Sequence, residues 1–160
     1  MKATEYNQCV HEYADRLYRF AYRLLSDQMD AEDTVQVVFE RLWKRHDQVK
    51  VEAVKSYLFT SVHRACIDQF RRRQTQRKAT EQGPKTEPLI QQDDLDNRQL
   101  IEEGLKRLTA EQKSLVLMRD YEGYSYQEIA DMTDQSLSQI KIKLFRARRK
   151  LQFFLTKKYC

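Results

Sequence analysis

Helix-breaking residues are scarce in this 160-residue chain: it has three glycines and two prolines, and Gly83, Pro84 and Pro88 fall close together. That clustering marks a single break. Around it, QTQRKATEQGPKTEPLIQQDD (residues 74–94) is polar and lacks apolar periodicity, so it reads as a flexible linker between two small helical modules, residues 1–73 and 95–160. Cysteine is also sparse. Cys9, Cys66 and Cys160 lie far apart, with no C-x-x-C or histidine-rich spacing, which excludes a disulfide framework and argues against any metal site. They read as reduced thiols, packed or incidental. No apolar run approaches the roughly 18 residues of a membrane span, and MKATEYNQCVHEY lacks the apolar core of a signal peptide, so a cytoplasmic location without membrane insertion is expected. His46 and His63 have no carboxylate or nucleophile at a diagnostic spacing; surface or packing roles are expected for them, and no enzyme motif or cofactor site is visible.

Acidic residues are missing from one stretch in particular. The chain carries a net charge of +5 and is 33% charged, yet residues 135–160 hold eight bases and no acid after Asp134. Residues 1–73 are nearly balanced, with 13 bases and 11 acids. Concentrated basic charge is the footprint of a polyanionic partner.

In the first module, Leu17, Phe20, Ala21, Leu24 and Leu25 recur at three- and four-residue steps, predicting an amphipathic helix that ends near Ser26. A second helix is predicted to start at Asp30, where Asp30 and Asp33 have capping-box-like spacing and suit a helix N-terminus. Val35, Val38, Phe39, Leu42 and Trp43 form its expected buried stripe, with Glu32, Asp33, Gln36 and Glu40 opposite. Periodicity alone makes that acidic face either a solvated surface or a docking surface for a basic partner. A third helix, Val54 to Arg73, is expected to pack through Leu58, Val62, Ala65 and Ile67 and to end in Phe70-Arg71-Arg72-Arg73. The polar connection KRHDQVKVEA between the last two helices is a candidate recognition loop.

Three capping boxes punctuate the second module: Thr109 with Gln112, Ser125 with Glu128, and Ser136 with Gln139. The last two predict a short helix, a turn near Thr133-Asp134-Gln135 and a longer helix, the spacing of a helix-turn-helix. On the longer helix, Ile140, Leu144, Ala147, Leu151 and Phe154 share an inward face, and Lys141, Lys143, Arg146, Arg148, Arg149 and Lys150 occupy the rest. A helix presented to phosphates gains from each cation and is repelled by each carboxylate. Ser138, Ile142, Phe145 and Arg149 share the outward face. The two apolar groups there suit thymine methyls, another protein surface, or a neighbouring helix that they cover.

These motifs together resemble the extracytoplasmic function (ECF) group of sigma factors in the sigma-70 family. The carriers are Asp30-Ala31-Glu32-Asp33-x-x-Gln36-x-x-Phe39, Ile67-Asp68-x-x-Arg71-Arg72-Arg73, and Tyr124-Ser125-Tyr126-x-Glu128-Ile129-Ala130 followed by Arg146-Ala147-Arg148. The resemblance implies an all-α chain with sigma region 2, a linker and sigma region 4. It implies a dissociable, non-enzymatic subunit that binds core RNA polymerase and directs it to promoter DNA. Many relatives are held by anti-sigma factors, and this sequence names none.

By resemblance, Asp30, Glu32, Asp33, Gln36 and Glu40 would dock on the polymerase. Lys44, Arg45 and His46 in the connection, with Arg64, Arg71, Arg72 and Arg73, would meet the minus-10 element. Ser136, Ser138, Gln139, Lys141, Ile142, Lys143, Phe145, Arg146 and Arg149 would meet the minus-35 element in the major groove. The turn lacks the family's usual glycine, so Asp134 is expected to take a left-handed conformation. The alternative is a free-standing helix-turn-helix regulator, which leaves the first module without a task. A recombinase or nuclease would need a carboxylate cluster or an activated Ser or Tyr, and none of the nine tyrosines stands in such a constellation.

Overall fold

The computed structural model describes residues 1–79 and 97–159. Residues 80–94 of the linker expected over 74–94, residues 95 and 96, and Cys160 lie outside the described residues. The chain divides into two compact units, Met1–Arg73 and Gln74–Cys160. Among the described residues every regular element is helical, and no helix is long and apolar enough to cross a membrane.

Helix α1 (Ala3–Leu25) buries Leu17, Phe20, Ala21, Leu24 and Leu25 on one stripe. It stops because Ser26 adopts the left-handed conformation (φ 55°) while its N–H bonds the Tyr22 carbonyl at 2.8 Å. That turn leaves Asp27 extended, with its carboxylate accepting the Asp30 N–H at 2.9 Å. Helix α2 therefore spans Gln28–Lys44 and is capped by Asp27, not Asp30. Of its expected stripe, Val35, Val38, Phe39 and Leu42 are buried, whereas Trp43 is 42% exposed. Trp43 sits at the end of the helix, where Tyr6 of α1 and His46 meet its ring (centroids 5.0 and 4.5 Å) and leave the rest of it open.

After a 3₁₀ turn (Val51–Ala53), helix α3 runs Val54–Ala79. It passes Arg73, so residues 74–79, expected as linker, are helical. Its core contacts come from Val54, Leu58, Phe59, Val62 and Cys66; Ala65 and Ile67, expected in the core, are half-buried. Phe59 meets Phe20 edge-to-face at 5.6 Å. Burying each such side chain contributes about 1.5–3 kcal/mol, which is what ties α3 to α1.

In the second unit, α4 (Asn97–Lys106), α5 (Ala110–Val116), a π-helical turn (Leu117–Tyr121), α6 (Tyr126–Thr133) and α7 (Leu137–Tyr159) follow in order. All three sequence-predicted capping boxes form. The cap hydroxyls of Thr109, Ser125 and Ser136 accept the N–H three residues on at 3.0–3.1 Å. In return, the Oε1 atoms of Gln112, Glu128 and Gln139 accept the cap residues' N–H groups at 3.0–3.1 Å. Gly104 allows α4 its close approach to α7, because a Cβ there would lie 2.9 Å from Leu151 and 3.2 Å from Phe154. The core is Leu105, Leu115, Leu117, Met118, Ile129, Ile140, Leu144 and Ala147.

Candidate nucleic-acid interface

The turn between α6 and α7 is built by local chemistry. Asp134 stands at φ 58°, ψ 42°, the left-handed conformation expected for it, and its N–H bonds the Ala130 carbonyl. Ser136 then caps α7. Upstream, the Arg119 guanidinium lies 4.7 Å from the centre of the Tyr126 ring and donates to the Tyr124 carbonyl at 2.9 Å, fixing the start of α6.

Two α7 cations are spent inside the unit. Lys143 Nζ bonds Glu111 Oε1 at 2.7 Å and Gln135 Oε1, tying α7 to α5 and to the turn. Arg148 bonds Asp120 Oδ1 at 2.8 Å and the Tyr126 hydroxyl at 3.2 Å. Lys141, Arg146, Arg149 and Lys150 are exposed. Ser138 and Gln139 are exposed as well, and Ile142 and Phe145 are 50% and 64% exposed. The neighbouring-helix reading of Ile142 and Phe145 is therefore overturned. The helix projects a face of cations, short polar groups and two apolar tips, while Lys143 positions it rather than adding free charge.

In the first unit, Glu32, Asp33, Gln36 and Glu40 lie exposed on one face of α2. Met29 (73% exposed) and Val37 (42%) extend that face, a feature the sequence reading did not single out. Exposed apolar groups among acids suit a protein partner better than water. Asp30 is different: its carboxylate pairs with Arg73, whose guanidinium also donates to the Leu25 carbonyl at 2.8 Å. Arg73 thus closes the α1–α2 corner and is not available as a free cation.

A groove of about 860 Å³ runs between α2 and α3. Gln69 bonds the Thr34 hydroxyl at 2.7 Å near one end, where Asp30, Asp33 and Asp68 line the walls. Arg41, Lys44, Arg45 and Arg64 line the other end, beside Tyr57. The expected minus-10 residues are therefore divided. Lys44, Arg45 and Arg64 converge, and Arg41, one turn before Lys44, joins them; the i, i+3, i+4 spacing of Arg41, Lys44 and Arg45 at the end of α2 was the overlooked signal. Arg72 lines the acidic end, and Arg71 does not line the groove. His46 stacks on Trp43, with Nδ1 2.6 Å from the Trp43 carbonyl oxygen and Nε2 3.1 Å from Asp47 Oδ1.

Comparison with known proteins bears on both units. The family model for Sigma-70 region 2 matches residues 9–76, and that for Sigma-70 region 4 matches residues 98–151. The chain is 29% identical to the ECF RNA polymerase sigma factor SigE of Mycolicibacterium smegmatis over 159 residues, covering 95% of this chain and 62% of that protein's length. It is 26% identical to the RNA polymerase sigma factor SigV of Bacillus subtilis over 152 residues, covering 93% of this chain and 90% of the relative. Among solved structures it resembles the sigma factor RpoE of Bartonella quintana, crystallised with the anti-sigma factor NepR. That match has a TM-score of 0.78 and 25% identity, and covers 96% of this chain and 98% of the other. With both regions present in order, one on the helix bearing the acidic face and the other on the helix-turn-helix, the chain belongs to the sigma-70 family, in its ECF group of sigma factors.

Proposed function

We propose that this protein is a promoter-specificity subunit: it binds core RNA polymerase through region 2 and directs initiation at promoters whose upstream element is read by region 4. The observation that carries this reading is the exposed acidic and apolar face of α2, formed by Glu32, Asp33, Gln36, Glu40, Met29 and Val37. A free-standing regulator has no use for such a face on a unit separate from its DNA-binding helix. A face of this charge fits a basic surface on the polymerase.

The basic end of the α2–α3 groove supports contact with the minus-10 region. Four cations there suit the backbone of a single strand, and the Tyr57 ring beside them suits stacking on an unpaired base. On α7, Ser138, Gln139, Lys141, Arg146 and Arg149 support placement in the minus-35 major groove, with Ser136 at the helix start. The protein needs no active site of its own, since RNA synthesis is the chemistry of the core enzyme, and its partners set its location in the cytoplasm. An anti-sigma factor, as bound by the Bartonella relative, is a fitting third partner.

Reconstitution tests the proposal. The purified chain is mixed with core polymerase and a random promoter library, and the transcripts are sequenced. Specific initiation with one enriched pair of elements is expected. Failure to form a complex at low salt, with operator-like binding of the chain alone, would favour the free-standing regulator.

A further inference from the structure

Ile142 and Phe145 project from a surface otherwise made of cations and short polar groups. Their axial neighbours are informative. Residues four apart on a helix stack on one another, so Phe145 lies between Lys141 and Arg149, and Ile142 between Ser138 and Arg146. No carboxylate follows Asp134 anywhere in the chain. A protein partner would have to bury each apolar tip between groups that demand an anionic surface. Duplex DNA satisfies both at once: phosphates meet Lys141, Arg146 and Arg149, while the groove floor meets the tips. The aliphatic group that B-DNA displays in its major groove is the thymine C5-methyl.

We infer that Ile142 and Phe145 are specificity-determining residues that read thymine methyl groups in the element entered by α7. The inference rests on the promoter-binding reading of region 4. The two positions are separated by about 4.5 Å along the helix axis, close to the roughly 3.4 Å base step of a DNA strand. They therefore address neighbouring base pairs, and the upstream element holds thymine, on either strand, at one or both. Phe153 is equally bare at 70% exposed, but it lies about 12 Å further along the helix, beyond the part that reaches base edges in this motif.

The test uses holoenzyme assembled from the full chain and core polymerase. The upstream element is randomised and selected, and each thymine of the selected sequence is then replaced by deoxyuridine, which removes the methyl and keeps every hydrogen-bonding group. At one or two adjacent positions, deoxyuridine is expected to weaken holoenzyme binding about fourfold per methyl. That sensitivity should vanish in Ile142→Ala or Phe145→Ala and persist in Phe153→Ala. Both alanine positions are exposed, so the variants should fold.

A usable promoter with no deoxyuridine-sensitive position, or equal sensitivity in the wild type and both alanine variants, would overturn the inference and leave the sigma role intact. Alanine variants that keep the thymine preference but lose transcription would overturn it in favour of a protein contact. Selection of no element at all would bring down the promoter-binding reading as well.

Discussion

The two units organise charge in opposite ways. In the first, the acids of α2 come early and its bases late, so that one groove has an acidic end and a basic end, and an expected docking acid (Asp30) is consumed by an expected DNA-binding base (Arg73). In the second, acids stop at Asp134, and the cations beyond it lie on a single helix. A surface that serves a protein and a nucleic acid must separate the two signs over a short distance, whereas one facing a duplex has no reason to keep a carboxylate. On the second unit, two acids near α7 hold it in place, Glu111 on Lys143 and Asp120 on Arg148.

The comparison can be broken most severely at α2. Reversing Glu32 and Asp33 together to Lys should weaken binding to core polymerase at least about 30-fold, because like charges would then face the basic partner. Circular dichroism should not change, since both residues are exposed. Unchanged affinity in a pull-down with core enzyme would remove the docking assignment.

On α7 the contrast lies between free and committed cations. Arg149→Ala should lower the salt dependence of promoter binding by about one phosphate contact. Lys143→Ala should leave that slope alone, because Glu111 already meets its charge. It should instead lower the stability of the second unit by up to about 1 kcal/mol, the range for a partly exposed pair. Equal salt slopes for the two variants would erase the distinction.

Helix caps sharpen the same point. Thr109→Ala and Ser136→Ala should each cost about 1 kcal/mol in urea unfolding, as lost N-caps do. Only Ser136→Ala should also weaken DNA binding, since Thr109 starts a helix away from the proposed groove face.

The smallest effect concerns the thiols. Burial pushes the Cys66 thiol from 9.0 up to about 12. At pH 8 its thiolate fraction in the folded protein is then about one in ten thousand. Iodoacetamide should leave Cys66 unmodified until urea is added, as read by mass spectrometry. Because the folded value is the higher one, the associated stability is fully present below pH 9.0 and is lost as pH rises through about 12.

Local chemistry was the legible part of this chain. Each serine or threonine cap with its Gln or Glu three residues on predicted a helix start correctly, because both partners lie within one turn. The left-handed Asp134 was legible only through the resemblance, because it stands where the family usually has glycine. At α2 the Asp30–Asp33 spacing misled: the cap is Asp27, which the Ser26 turn before it leaves extended. Periodicity counted Trp43 as core, yet it cannot report that only Tyr6 and His46 reach its ring and leave 42% of the residue exposed.

Long-range pairings were not legible at all. The Arg73–Asp30 pair spans 43 residues and the Lys143–Glu111 pair 32. They decide which charges remain free for a partner, and nothing in the spacing of either residue announces them.

The division of labour between the units is tested most directly by crosslinking. A photoreactive side chain is placed at Gln36 on α2 or at Ser138 on α7, in the full chain bound to core polymerase and a promoter. Gln36 should crosslink to a polymerase subunit and not to DNA, and Ser138 to duplex DNA upstream of the start site. Crosslinks from Gln36 to DNA, or from Ser138 to protein alone, would contradict the account.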